Sequence, residues 1–318
     1  MGEKFDWGEH SLEPIHLAGW GMHQSEEESQ AYCTLIARSH YENFIIANKF
    51  TPPEIRQHIE NIYGFCRYGD DLGDESPFDC QGRIKLLDAW EGDLAEAAKD
   101  NWNGNPKHPI LKAIQITNKK FNIPHEPYWK LIQAFKMDQT KTRYSNWEEL
   151  KQYCEYSADP VGHLFLYVYG HDDENLRRIS NSTCTALQLA NHWQDIARDW
   201  EQERSYLPQT TLDKHGVTWE QYAKCTATDS WRLMLAEEVE RAQSLFDEGK
   251  ALWDMVDPHL AVDLMMFTKG GEAILQSIRK QRYDTWKKRP KVSKIKQMIL
   301  FLKARRAWKR ANTIARRA

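Results

Sequence analysis

Helix signals run through this 318-residue chain, and alternating strand patterns are nearly absent. Ser25-Glu26-Glu27-Glu28 is a capping box that predicts a helix to about Asn48. Thr51-Pro52-Pro53-Glu54 opens the next helix with a capping threonine, a first-turn proline and a third-position glutamate. That helix is expected to end near Ser76. Further helices are predicted over residues 80–99, 109–121, 127–142, 147–170, 173–201, 230–256, 258–283 and 293–316.

One predicted helix, over residues 147–170, contains Asp159-Pro160-Val161-Gly162. Proline removes a backbone donor and clashes with the preceding turn, so the helix is expected to kink or break here. Such a break can accommodate a ligand, or it can be a plain loop between two shorter helices. Both interpretations stay open from the sequence.

Two aspartate pairs lie inside these helical segments, more than a hundred residues apart. Residues four apart share a helix face, so Asp70 lies beside Asp74 and Asp195 beside Asp199. Like charges so close repel unless a cation joins them. Mg²⁺ takes oxygen ligands and usually binds through one or two carboxylates together with substrate phosphates. The pairs therefore predict Mg²⁺ sites.

The neighbours of each pair extend its helix face. Tyr63 and Arg67 continue the first face, and an arginine fork suits diphosphate oxygens. Gln188 and Asn191 continue the second face, with Gln194 beside it. We call these two faces the first and the second acidic stripe.

The alternative is that each pair is solvated surface charge, which is the usual role of a lone acidic pair on a helix. Both pairs, however, follow apolar or aromatic segments, which predicts helices buried in a core. Buried carboxylates without partners are costly. The apolar neighbours are Ile62, Phe65 and Cys66 for the first pair, and Leu187, Leu189, Ala190 and Trp193 for the second.

Charge and cysteine usage limit the cellular context. Residues 287–317 contain thirteen Lys or Arg and no Asp or Glu. The six cysteines are scattered without a CxxC, which predicts reduced thiols and no zinc site. No secretory signal is expected, and the apolar run 298–302 is too short to cross a bilayer. We expect a cytoplasmic protein, with the inner face of the membrane as a second location.

Two longer motifs resemble the signature motifs of the squalene and phytoene synthase family. They are residues 63–74 and 188–199, followed by Tyr206-Leu207-Pro208 and by a segment over 279–292. The resemblance implies an all-α isoprenoid synthase fold, a single-domain helical bundle over residues 1–318 with a central cavity. It also implies a second acidic stripe that faces the first across that cavity, and a substrate that is a prenyl diphosphate.

The resemblance carries roles for individual residues. Metal ligands would be Asp70, Asp74, Asn191, Asp195 and Asp199. Diphosphate contacts would be Tyr63, Arg67 and Arg289. Cavity positions would be Tyr153, Ser157, Ala158, Val161, Gly162, Phe165, Thr183 and Leu187. Further substrate contacts are expected at His40, Tyr41, Asn43, Phe44, Gln188 and Gln194.

Two departures from the family pattern indicate one branch. Members that couple two prenyl diphosphates often carry Arg where this chain has Gln194, and a serine-rich segment where it has residues 40–43. Both features resemble the hydroxysqualene synthase branch of the bacterial hopanoid pathway, in which water ends the rearrangement of presqualene diphosphate. Tyr41, Glu42 and Asn43 could hold that water, or they could be ordinary helix-surface contacts.

Several other functions stay open. The chain could instead be a head-to-head prenyltransferase that makes presqualene diphosphate, squalene or phytoene. A more remote alternative is a non-catalytic lipid-binding or assembly factor, for which eroded aspartate motifs would be expected. No dinucleotide fingerprint is present, so no nicotinamide cofactor is expected. The basic helix over 293–316 favours peripheral membrane contact, and no nucleic-acid partner is expected.

Overall fold

The computed structural model describes residues 25–39 and 51–315. Within these ranges all regular structure is helical, apart from one isolated parallel bridge between Tyr144 and Pro208. The helices are α1 (Glu26–Ser39), α2 (Pro53–Asp74), α3 (Cys80–Trp102), α4 (Pro109–Phe121), α5 (Glu126–Met137), α6 (Trp147–Ser157), α7 (Asp159–Val168), α8 (Glu174–Glu201), α9 (Gln209–Lys214), α10 (Trp219–Ala223), α11 (Asp229–Gly249), α12 (Pro258–Lys280) and α13 (Lys294–Ala315). A short 3-10 helix, Lys250–Asp254, follows α11. The predicted all-α fold is confirmed.

Two predicted helix starts have different outcomes. The capping box of α1 is formed: the Glu28 amide donates to Ser25 Oγ (3.2 Å), and the Ser25 amide donates to Glu28 Oε2 (2.8 Å). The cap predicted at Thr51 is wrong, because α2 starts at Pro53 with Pro52 in the capping position and no side-chain cap bond. A residue before proline is pushed out of helical dihedrals, and Pro52 has ψ 134° for that reason.

The predicted break inside residues 147–170 is present. Helix α6 ends at Ser157, and α7 starts at Asp159 with Pro160 in its first turn, where a missing amide hydrogen does no harm. A Cβ on Gly162 would lie 2.4 Å from Ser180 Oγ and 2.5 Å from Cys184 Sγ. The break therefore brings the first turn of α7 into close contact with α8.

Other differences from the predicted helices are small. Helix α5 ends at Met137, short of the predicted end at residue 142, and α11 ends in a 3-10 turn. Helices α9 and α10 were not predicted, because five or six residues are too few for a periodic signal.

The chain forms two compact units. The first contains the segment that ends at Thr140 and the segment His163–Asp172, and the second contains Lys141–Gly162 and the segment that begins at Asp173. In the first unit α2 packs against α1, α3, α4 and α5. In the second unit α8 packs against α6, α11 and α12. Each aspartate pair therefore lies on the central helix of its own unit.

No described helix has both the length and the hydropathy needed to cross a membrane. All six cysteines are free thiols.

Candidate active site

The first acidic stripe lies on the less buried side of α2. Arg67 and Asp70 are half-buried, and Asp74 is exposed. The opposite side of the helix carries Phe65 and Leu72, both fully buried. Burial of such side chains contributes roughly 1.5–3 kcal/mol each. This packing holds the stripe at the edge of the core of the first unit.

Arg67 is surrounded by three carboxylates, two from its own helix α2 and one from Glu75, which directly follows that helix. Its guanidinium pairs with Asp71, lies 3.5 Å from Asp70 Oδ2 and lies 3.7 Å from Glu75 Oε1. The Asp71 side chain is only 4% exposed, so the second aspartate of the motif points inward and holds Arg67. The role of Asp71 was not predicted from the sequence. Asp71 directly follows Asp70 in the helix, so its side chain points to a different face from the stripe, and this position could have indicated a separate role.

The second acidic stripe lies on α8. Gln188, Asn191, Asp195 and Asp199 are all half-buried. The inward side carries Trp193, which is fully buried and donates from Nε1 to the carbonyl of residue 238 (3.2 Å). An amphipathic helix with a buried aromatic side and a polar edge therefore positions this stripe as well.

Arg289 forms a two-pronged ion pair with Asp195. Its Nε donates to Oδ1 (2.5 Å) and its Nη2 donates to Oδ2 (2.7 Å). The Gln194 side chain is buried and completes the arrangement: its Oε1 accepts from Arg289 Nη2 (3.1 Å), and its Nε2 donates to the Pro290 carbonyl (2.6 Å). Gln194 thus binds both the arginine side chain and the backbone that follows it.

Aromatic rings line the second unit beside this stripe. Tyr206 stacks on His192, with ring centroids 3.5 Å apart and planes 14° apart, and it also stacks on Tyr144 (5.6 Å, 23°). Tyr153 lies 5.7 Å from Tyr206. Backbone bonds from residue 205 to residue 142 and from residue 209 to Tyr144 fix this segment.

His192 is a buried residue of α8 that was not among the predicted site residues. Burial, aided by the nearby Arg204, lowers the pKa of His192 to about 3. The ring is therefore neutral at physiological pH. Its Nε2 has no hydrogen-bond partner within the described part of the chain. The sequence shows a histidine directly after Asn191, but it does not show that this histidine is buried.

The predicted cavity residues lie on the three consecutive helices α6, α7 and α8, with Ala158 between α6 and α7. Tyr153, Ala158, Phe165 and Thr183 are buried, whereas Ser157, Val161, Gly162 and Leu187 are half-buried. The Ser157 hydroxyl has no partner among the described residues. Phe165 belongs to the first unit and the other seven belong to the second. His40, Tyr41, Asn43 and Phe44, with Glu42, lie outside the described residues.

The model of the family described as squalene/phytoene synthase matches residues 37–296, which include both acidic stripes. The chain belongs to the squalene/phytoene synthase family. Enzymes of this family are isoprenoid synthases that process prenyl diphosphates such as farnesyl diphosphate, and they use divalent metal.

Similar proteins come from different branches of this family. The crystal structure of squalene synthase HpnC from Alicyclobacillus acidocaldarius is 44% identical, with a TM-score of 0.76 over 81% of this chain and 95% of that chain. Chloroplastic phytoene synthase 2 of Solanum lycopersicum is 30% identical over 85% of this chain and 88% of that protein. A dehydrosqualene synthase solved with a ligand shares the fold, with a TM-score of 0.78 at 20% identity over 92% of this chain and 98% of that chain.

The stripes of this squalene/phytoene synthase suit Mg²⁺. No three His, Cys, Asp or Glu side chains form a metal cage among the residues that the structure describes. Mg²⁺ does not require one, since it keeps waters and binds through one or two carboxylates together with phosphate oxygens. Each stripe offers such hard oxygen ligands at a partly exposed helix edge. The residues therefore fit this metal.

Proposed function

We propose that this enzyme converts presqualene diphosphate and water into hydroxysqualene and diphosphate, with Mg²⁺ and without a nicotinamide cofactor. Support comes from the 44% identity to the squalene synthase HpnC of Alicyclobacillus acidocaldarius, of which the match covers 95%. The reaction starts when the carbon–oxygen bond to the diphosphate breaks and the electron pair leaves with the oxygen. The resulting cyclopropylcarbinyl cation rearranges, the oxygen of a water molecule bonds to it, and that water loses a proton to the solvent.

The observation that carries the proposal is the neutral amide of Gln194 beside the Arg289–Asp195 pair. Coupling of two prenyl diphosphates requires a site for two diphosphate groups, and each brings negative charge. Presqualene diphosphate brings one. An uncharged Gln194, where coupling members often carry a second guanidinium, lowers the local positive charge and suits a substrate with a single diphosphate.

The proposed roles follow from the chemistry of each side chain. Asp70 and Asp74 on the first stripe, and Asn191, Asp195 and Asp199 on the second, would hold Mg²⁺, and the metal would supply positive charge that stabilises the leaving diphosphate.

The remaining roles fall to residues that bind and shield the substrate. Arg67 and Arg289 donate to diphosphate oxygens, with Tyr63 beside them. Gln194 is a positioning residue, because it acts on the substrate through its hydrogen bond with Arg289. Tyr153, Val161 and Leu187, with the other predicted cavity residues, exclude bulk water from the cation.

The test is to incubate the purified enzyme with presqualene diphosphate and Mg²⁺ in the absence of any nicotinamide cofactor, and to identify the product by mass spectrometry. Hydroxysqualene is expected, with one oxygen from ¹⁸O-labelled water. Removal of the metal with EDTA should stop turnover, and added Mg²⁺ should restore it.

Two other outcomes would contradict this assignment in different ways. If presqualene diphosphate is inert but accumulates from farnesyl diphosphate, the enzyme acts one step earlier. If geranylgeranyl diphosphate gives phytoene, the enzyme follows the phytoene synthases to which it is 30% identical. Turnover with neither substrate class would favour the non-catalytic alternative.

A further inference from the structure

Exposed large apolar side chains are concentrated on α13 among the described residues. Ile295, Met298, Ile299 and Leu302 are 69%, 59%, 46% and 45% exposed. Their spacing of three, one and three residues places them on one side of the helix. We call these four residues the outer stripe. It is about 10 Å long at the rise of an α-helix.

The opposite side of α13 already has a partner inside the second unit. Helix α13 packs against α12, and Ala304 on that side is fully buried. Leu300, Phe301 and Trp308 share the same side as Ala304 and are half-buried. Lys296 also donates to the Gln276 side chain of α12. Helix α13 therefore has two apolar sides, and packing on the bundle accounts for only one.

Cations continue and flank the outer stripe. Arg306 and Lys309 follow Leu302 along the same side of the helix, and both are exposed. Lys303, Arg305 and Arg310 are exposed beside them. No Asp or Glu occurs anywhere in residues 287–317, so no carboxylate of this segment balances the charge.

An anionic lipid surface complements this arrangement. Apolar side chains on such a helix enter the boundary between head groups and acyl chains, while Lys and Arg pair with lipid phosphates. Each cation near an anionic membrane surface contributes about 1 kcal/mol. A second copy of the chain would instead bring an identical set of cations to the contact and no acidic residue from this segment.

We propose that the outer stripe of α13 docks this enzyme on an anionic lipid bilayer. The proposal extends the proposed function, since the prenyl chains of substrate and product are apolar and partition into a bilayer. It does not depend on which prenyl diphosphate is used. Vesicle binding needs no substrate, so failure of this proposal and failure of the proposed reaction are separate results.

The experiment is co-sedimentation of the full-length protein with vesicles of phosphatidylcholine, alone or mixed with phosphatidylglycerol. Binding is expected on the anionic vesicles and is expected to weaken with salt. Replacing the outer stripe by glutamine (Ile295→Gln, Met298→Gln, Ile299→Gln, Leu302→Gln) keeps good helix formers and should lower the partition coefficient at least about tenfold.

Two further variants sharpen the test. Leu35→Gln with Leu233→Gln removes two equally exposed leucines from other helices, 61% and 63% exposed, and should leave binding unchanged. Arg306→Gln with Lys309→Gln should weaken binding to anionic vesicles only. Circular dichroism and thermal unfolding verify that each variant is folded.

Three results would overturn the proposal. One is unchanged vesicle binding by the folded outer-stripe variant, and another is wild-type protein that binds neither type of vesicle. The third is a wild-type dimer, seen by light scattering, that the outer-stripe variant turns into a monomer; the outer stripe would then be an interface between copies.

Discussion

At the scale of single residues, the carboxylates of both stripes have cationic neighbours within their own unit. Asp195 receives two hydrogen bonds from Arg289, and Asp70 lies beside Arg67. If both arginines also bind diphosphate, substrate entry must redistribute these bonds. Gln194 would then keep Arg289 close to the stripe, because it binds the Pro290 carbonyl as well.

The first residue-scale prediction concerns Asp70 and Asp195. Replacing either by asparagine keeps the shape of the side chain but removes a negative charge that the proposed Mg²⁺ site requires. We expect kcat to fall at least about a hundredfold in each variant, from lost stabilisation of the leaving group. Steady-state turnover and Mg²⁺ titration measure the effect.

Asp88→Asn is the matched control for these variants. Asp88 is an exposed carboxylate that pairs with Lys136 at 2.6 Å, an interaction worth about 1 kcal/mol or less. The control should keep its activity. Full activity in either stripe variant would refute the metal assignment.

At the scale of helices, close contacts in the second unit fix the walls around α8. Gly271 of α12 is buried, and a Cβ there would lie 2.2 Å from Phe246 Cζ and 3.0 Å from Leu187 Cδ2. Leu187 is one of the predicted cavity residues, so α12 defines the surroundings of that side chain. Phe246 is fully buried.

We therefore predict that Gly271→Ala destabilises the protein by about 1–3 kcal/mol, because overpacking forces the helices apart. Urea unfolding measures the free energy directly. Gly92→Ala is the control, since Gly92 is an exposed helical glycine with no atom near its missing Cβ. It should be neutral or stabilise by up to about 1 kcal/mol. Equal effects at both glycines would contradict the packing argument.

At the scale of the whole molecule, stability should depend on pH through His58. This residue of α2 is buried in the first unit, with Nδ1 3.1 Å from Thr117 Oγ1 and Nε2 3.2 Å from Lys120 Nζ. Burial, with the Lys120 charge as a second cause, lowers the pKa of His58 from 6.5 to about 4. Between these values the unfolded chain takes up a proton that the folded chain does not.

The contribution of neutral His58 to the stability of the folded protein is therefore fully present above pH 6.5. It is lost as the pH falls toward 4, because the unfolded chain is protonated first. We expect the free energy of unfolding to drop less between neutral pH and pH 5 in His58→Gln than in the wild type. Urea unfolding at both pH values tests this. Identical drops in the two proteins would show that His58 does not titrate as the structure implies.

Local periodicity explains how much of this fold the sequence predicts. Ten helices follow from capping and apolar spacing, and the break near Pro160 follows from proline geometry. Short helices such as α10 give no periodic signal. The cap predicted at Thr51 was wrong because the second of two adjacent prolines, Pro53, begins the helix and leaves Pro52 in the capping position.

The same contrast holds for the site. The sequence alone determined that Asp70 shares a helix face with Asp74, and Asp195 with Asp199, because helical spacing is a local property. Only the tertiary structure decided that Arg289, 94 residues away, reaches Asp195, and that Gln194 is buried between the arginine and Pro290. It also decided which apolar side of α13 packs on α12 and which stays exposed. Spacing along a helix defines its sides, but contacts between residues far apart in the chain determine which side is buried.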